Sequence, residues 1–186
     1  MGEALQRAEV GIEGVLLFRP PPHEDARGSL TEIFRRAWIP GAGEMVQANL
    51  SRSRRRVLRG LHFHRLQSDY WVILDGPAFI GLYDLREGSP TQGRKAELTL
   101  DPDREGLQGL YLPPGVAHGF YAIAEVRLLY LVDAPFTGRD EFGLAWDDPG
   151  VGLAWPTRRP LLSDRDRSNP PLREALAEAP SFPGAG

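Results

Sequence analysis

Val57-Leu-Arg-Gly60-Leu-His62-Phe-His64-Arg-Leu-Gln-Ser-Asp69-Tyr-Trp-Val-Ile-Leu74-Asp-Gly76-Pro-Ala78-Phe-Ile-Gly-Leu-Tyr-Asp84 is the stretch on which the fold turns. It reads as three strands, Val57–His64, Tyr70–Leu74 and Ala78–Asp84. Each is an alternating or continuous apolar run, and Asp75-Gly76 is turn chemistry between the last two. On a strand, residues two apart share a face. His62 and His64 therefore aim two imidazoles into one space, with the carboxylate of Asp69 shortly after.

The same texture continues on both sides. Val15–Phe18, Leu30–Phe34, Glu44–Asn49, Ala96–Leu100, Gly109–Leu112, Gly119–Ile123 and Val126–Val132 are further strand candidates. Pro20-Pro-Pro22, Gly41-Ala-Gly43, Gly88-Ser-Pro90 and Pro113-Pro-Gly115 punctuate them. Many short strands with frequent turns predict an all-β sandwich or barrel of jelly-roll type. Helix is expected only in short pieces near the C-terminus, chiefly Leu172–Ala179. With 186 residues the chain fits one domain, 1–186, and residues 180–186 read as a loose tail.

Composition narrows the chemistry. The net charge of −3 and the absence of a basic block argue against bulk binding to nucleic acid. There is no cysteine, so disulfides and thiolate metal sites are excluded. Lys95 is the only lysine, which leaves one candidate for any step needing an amine. No apolar run approaches membrane-spanning length, and the first residues lack the layout of a secretory leader. A cytoplasmic protein without membrane contact is the expectation.

Seven motifs then recur in a familiar order. They are Asp25-Ala-Arg27-Gly-Ser-Leu-Thr-Glu32, Gln47-Ala-Asn49-Leu-Ser51-Arg-Ser53, Val57-Leu-Arg59-Gly-Leu-His62 and Asp84-Leu-Arg86-Glu-Gly-Ser89-Pro-Thr-Gln-Gly93. Leu112-Pro-Pro-Gly-Val-Ala-His118-Gly-Phe120, Trp146-Asp-Asp-Pro149 with Trp155-Pro156, and Leu162-Ser163-Asp-Arg-Asp166 complete the series. In these pieces the chain resembles the dTDP-4-dehydrorhamnose 3,5-epimerases, from about Phe18 to Leu172. The resemblance implies a cupin-type double-stranded β-helix and an isomerase of deoxysugar (rhamnose-type) biosynthesis. The implied substrate is a dTDP-linked 4-keto-6-deoxy sugar.

It also implies roles. His62 would be the general base, Asp166 its orienting carboxylate and Tyr130 the acid that reprotonates. Arg27, Glu32, Gln47, Asn49, Arg59 and His118 match positions lining the sugar-nucleotide pocket. Part of that pocket would come from a second subunit, implying a homodimer, and no cofactor is called for.

Two departures fall inside this expected site. Family members usually carry glutamine where this chain has His64, and a lysine at or near Asp69 that stabilises the enolate. A carboxylate there opposes the developing charge, and losing one placed stabiliser costs roughly 10²–10³-fold. His62, His64, Asp69 and His118 together resemble the ligand pattern of metal-binding cupins. One divalent ion held by those four is therefore the alternative, with a metal-dependent enzyme in place of a plain epimerase. A non-catalytic sugar-nucleotide binder is the third possibility.

Overall fold

The structure is a computed structural model and describes residues 4–183. Two antiparallel sheets lie face to face. The first comprises β1 (Gln6–Glu9), β2 (Leu16–Arg19), β5 (Gln47–Ser53), β7 (Asp69–Asp75), β10 (Gly109–Leu112) and β12 (Val126–Val132), ordered β1-β2-β10-β7-β12-β5. The second comprises β6 (Leu58–Phe63), β8 (Ala78–Asp84), β9 (Lys95–Leu100), β11 (Val116–Ala122) and β13 (Phe142–Gly143), ordered β13-β6-β11-β8-β9. A separate hairpin pairs β3 (His23–Asp25) with β4 (Gly28–Leu30). Among the described residues helix is confined to α1 (Pro102–Glu105), α2 (Asp164–Arg167), α3 (Leu172–Ala175) and short 3₁₀ turns. This is the jelly-roll expectation, with the helix foreseen over 172–179 realised as α3 and a 3₁₀ turn over Leu176–Glu178.

Strand alternation divides each sheet into two faces. Trp71, Ile73, Ile80, Leu82, Leu110, Val116, Phe120 and Leu128 fill the space between the sheets. Both outer faces are covered too. Phe18, Tyr70 and Val72 pack under Ile33, Phe34, Trp38 and Ile39. Leu61, Phe63, Tyr83 and Ala117 pack under Leu144, Val151, Trp155 and Ala175. Covered on both faces, β7 is buried from Asp69 to Ile73, which is why its sequence reads as an unbroken apolar run.

The covering layer explains two departures from expectation. Leu30–Phe34 reads as a strand, yet β4 ends at Leu30. Ile33 and Phe34 instead lie over β7, where the Tyr70 hydroxyl donates to the Ile33 carbonyl at 2.9 Å and the Phe34 ring meets Tyr70 edge-on at 5.0 Å. The tail expected from residue 180 is tied down at its start. The Glu87 amide donates to the Pro180 carbonyl, the Phe182 amide donates back to Glu87, and Arg86 stacks over the Phe182 ring.

One close approach shapes the site. β11 pairs β6 with His118 opposite His62, and the register slips between His118 and Phe120. Gly60 has φ +119°, and a Cβ on it would lie 2.8 Å from the Gly119 Cα and 2.8 Å from the His118 carbonyl oxygen. Glycines on both strands let the backbones touch there, which sets His62 and His118 side by side.

Candidate active site

A cavity of about 430 Å³ opens between the sheets. The inward-facing residues of five strands line it. β5 supplies Gln47, Asn49 and Ser51; β6 supplies His62; β7 supplies Asp69 and Trp71; β11 supplies His118 and Phe120; β12 supplies Leu128, Tyr130 and Val132. The pairs His118↔His62, Tyr130↔Trp71 and Tyr130↔Asn49 hold these side chains level across the sheets. The volume is that of a small-molecule site lined by apolar walls and a few convergent polar groups.

His62 and Tyr130 stand on opposite sheets and both face this space. The His62 Nε2 meets the Asp166 Oδ1 at 2.6 Å, joining residues 104 apart in the chain. Asp166 arrives on α2, whose Ser163 cap accepts the Asp166 backbone amide at 3.0 Å. Burial pushes the Asp166 carboxyl up, but hydrogen bonds from His62 and Ser163 and the nearby His62 and Arg165 charges outweigh it. The net shift is downward, so the group stays ionised. An ionised carboxylate accepts only, so Nε2 carries a proton and Nδ1 is the ring nitrogen left to act on a ligand. Burial raises the Tyr130 hydroxyl, and Asp69 and Glu141 raise it further against Arg59, so the phenol is held protonated. An imidazole with one free ring nitrogen and a protonated phenol thus line the same cavity from opposite sheets.

A second cluster sits deeper. Among the described residues, His64, Asp69 and His118 form a group able to hold a metal ion, with ligand atoms all within 4.8 Å of one another. All three are buried. The His118 Nδ1 donates to the Val116 carbonyl at 2.8 Å, and the His64 Nδ1 donates to the Asp140 carbonyl. Burial pushes the His118 imidazole down to about 4, with Asp69 opposing the shift, so the ring is neutral near pH 7. The Asp140 carboxylate accepts the backbone amides of Arg65, Leu66 and Gln67 at 2.7, 3.0 and 3.1 Å, fixing the short loop that carries His64 back to Asp69. The four-residue metal set foreseen in the sequence therefore divides. His62 belongs with Asp166, and the other three form the metal-capable group.

The remaining expected residues divide as well. Gln47, Asn49, Arg59 and His118 line the cavity. Arg27 and Glu32 do not. Arg27 is 89% exposed on the turn of the β3–β4 hairpin, paired with Asp25, and Glu32 is paired with Arg35 at 2.7 Å. Sequence reasoning had overlooked Gln67, Glu141 and Arg165 as wall residues. The Arg165–Glu141 ion pair at 2.8 Å joins α2 to a loop, a contact that no local spacing signals. Phe136 lines the cavity while 63% exposed.

Comparisons with known proteins agree with this fold. A family model described as dTDP-4-dehydrorhamnose 3,5-epimerase matches residues 9–174. A dTDP-4-dehydrorhamnose 3,5-epimerase of Sinorhizobium fredii is 37% identical over 175 residues, covering 89% of this chain and 88% of its own. A dTDP-4-dehydrorhamnose 3-epimerase of Streptomyces niveus is 38% identical over 174 residues, covering 89% of this chain and 83% of its own. The crystal structure of a dTDP-6-deoxy-D-glucose-3,5-epimerase from Legionella pneumophila in complex with dTDP-4-keto-L-rhamnose superposes with a TM-score of 0.88 at 28% identity, covering 96% of this chain and 99% of its own.

Proposed function

This chain belongs to the dTDP-4-dehydrorhamnose 3,5-epimerase family, and from that premise we propose that it inverts the two carbons flanking the ketone of a dTDP-linked 4-keto-6-deoxy sugar. One observation carries the reading: the His62–Asp166 pair at 2.6 Å stands across the cavity from Tyr130. His62 Nδ1 takes the proton from the carbon next to the ketone, leaving an enolate. Asp166 holds the opposite nitrogen protonated, which fixes the tautomer and stabilises the imidazolium that forms. Tyr130 delivers a proton to the other face of the same carbon, and the centre inverts. Each positioned acid or base contributes roughly 10²–10⁴-fold.

Arg59 at the cavity wall suits the diphosphate, because its planar fork offers paired charged donors. Arg27 and Glu32 are exposed on and beside the β3–β4 hairpin, which supports the reading that they serve the cavity of a second copy in a homodimer with shared pockets. Among the described residues no helix is long and apolar enough to cross a membrane, and the cytoplasm, where nucleotide sugars are made, is the proposed location.

The test is direct. Incubation with dTDP-4-keto-6-deoxyglucose, followed by proton NMR, should show the coupling pattern of the sugar inverted at both carbons. His62→Asn should lower the rate at least about 10³-fold. An unchanged sugar, or a His62→Asn variant as fast as the parent, defeats the proposal.

A further inference from the structure

The geometry points to a binding site for one divalent transition-metal ion, held by His64, Asp69 and His118 beside the base His62 and independent of it. The Nδ1 atoms of both imidazoles face backbone carbonyls, those of Asp140 and Val116, which can only accept. Each Nδ1 therefore carries a proton, and Nε2 is the nitrogen each ring has left to offer an ion. Both Nε2 atoms turn toward one carboxylate. The His64 Nε2 lies 3.8 Å from the Asp69 Oδ1, and the His118 Nε2 lies 3.9 Å from the Asp69 Oδ2.

Two imidazole nitrogens turned toward one buried carboxylate form a group that a cation between them would stabilise by direct attraction. The three side chains are each no more than 7% exposed, so water screens this poorly. The two spacings to Asp69, 3.8 and 3.9 Å, suit an ion, because ligands about 2.0–2.2 Å from a common centre lie about 3–4 Å apart. Backbone carbonyls on the remote ring nitrogens are the outer partners that fix metal-binding histidines. Asp69 is oriented in the same way, its Oδ2 accepting the Trp71 indole N–H at 3.0 Å and its Oδ1 the Gln67 amide at 2.8 Å. The same Gln67 nitrogen lies 3.2 Å from the His64 Nε2, so it partly fills the place and must swing aside.

Two imidazoles and one carboxylate, with no thiolate, fit Zn²⁺, Fe²⁺, Co²⁺, Ni²⁺ or Mn²⁺ rather than Ca²⁺ or Mg²⁺. The site opens onto the cavity that His62 and Tyr130 share. When bound there, such an ion would supply Lewis-acid stabilisation of charge on a ligand oxygen, in a chain with no lysine near that position. The binding site itself does not depend on which sugar the cavity takes.

The experiment uses tag-free protein stripped with chelator and titrated with Co²⁺ by calorimetry and visible absorption. The expected result is one equivalent per chain, a Co²⁺ d–d band and a raised melting temperature. His64→Gln and Asp69→Asn should each weaken binding by about 100-fold or more, while His62→Asn should keep full stoichiometry. Circular dichroism of each variant separates a lost ligand from a lost fold, and the near-isosteric His64→Gln covers the case in which Asp69→Asn does not fold. Absence of binding at millimolar Co²⁺, binding that survives both ligand substitutions, or binding abolished by His62→Asn would overturn the proposal. Because the readouts are metal content, absorption and melting, an inactive enzyme that still binds one Co²⁺ would count against the epimerase proposal alone.

Discussion

Replacing Asp166 with asparagine isolates one interaction. The carboxylate is 5% exposed, accepts from the His62 Nε2 at 2.6 Å and does not line the cavity. Its charge-assisted hydrogen bond is worth roughly 1.5–3 kcal/mol, which at about 1.4 kcal/mol per tenfold is a factor of about 10 to 150. Asparagine also offers a donor as well as an acceptor, so part of the population would hold His62 with its proton on Nδ1, unable to act as base. Together these predict that kcat falls about 10²–10³-fold while KM changes by less than about threefold, since the residue lies behind the base rather than against substrate. The fold should survive, because asparagine keeps the shape, sheds the cost of burying a charge and leaves the Ser163 cap intact. The assay is steady-state epimerisation of dTDP-4-keto-6-deoxyglucose by NMR, with a thermal melt alongside. A kcat loss below about fivefold, or a loss carried mainly by KM, would refute the reasoning.

Other substitutions and conditions test neighbouring links. Tyr130→Phe should cut product formation by about 10²–10⁴-fold while proton exchange with solvent continues, since His62 can return hydrogen to the face it came from; parallel loss of exchange and inversion would show that the phenol has another role. Burial, then Asp69 and Glu141, holds the Tyr130 hydroxyl above the ordinary phenol value, so its acid form persists as pH rises, and kcat should stay level between about pH 8 and pH 9.5; a decline centred in that window, with the fold intact by circular dichroism, would contradict it. Gly60→Ala places a methyl 2.8 Å from the Gly119 Cα at φ +119° and should destabilise by about 1–3 kcal/mol, lowering the melting temperature by roughly 2–4 °C per kcal/mol. An unchanged melt would mean that the β6–β11 contact relaxes freely.

Much of this was legible before any coordinates, for reasons that differ by residue. Ala78–Asp84, Gly109–Leu112 and Val126–Val132 stand as strands with the bounds their apolar runs suggest, because turns close them on both sides. His62 and His64 share a face because a strand has a period of two. The strand expected at Glu44–Asn49 runs instead over Gln47–Ser53. There the inward positions Gln47, Asn49 and Ser51 are polar because they line a cavity, so hydrophobic alternation misplaced the strand. Leu30–Phe34 misled in the opposite sense, being apolar to cover a sheet rather than to join one. Asp166 received its role by resemblance alone. The physical reason is visible only in three dimensions, where the Ser163 cap turns α2 so that its third residue meets His62. The role of Asp140 left no local trace, since its carboxylate and carbonyl act on a loop more than seventy residues earlier in the chain.

The central claim is that a histidine in this cavity removes hydrogen from carbon beside a carbonyl. Carrying out the reaction in heavy water and locating deuterium in the sugar by NMR and mass spectrometry reads that step without an assumed product. One deuterium is expected at each of the two carbons flanking the ketone, and none in His62→Asn. Sugar recovered without deuterium from active wild-type protein would contradict it.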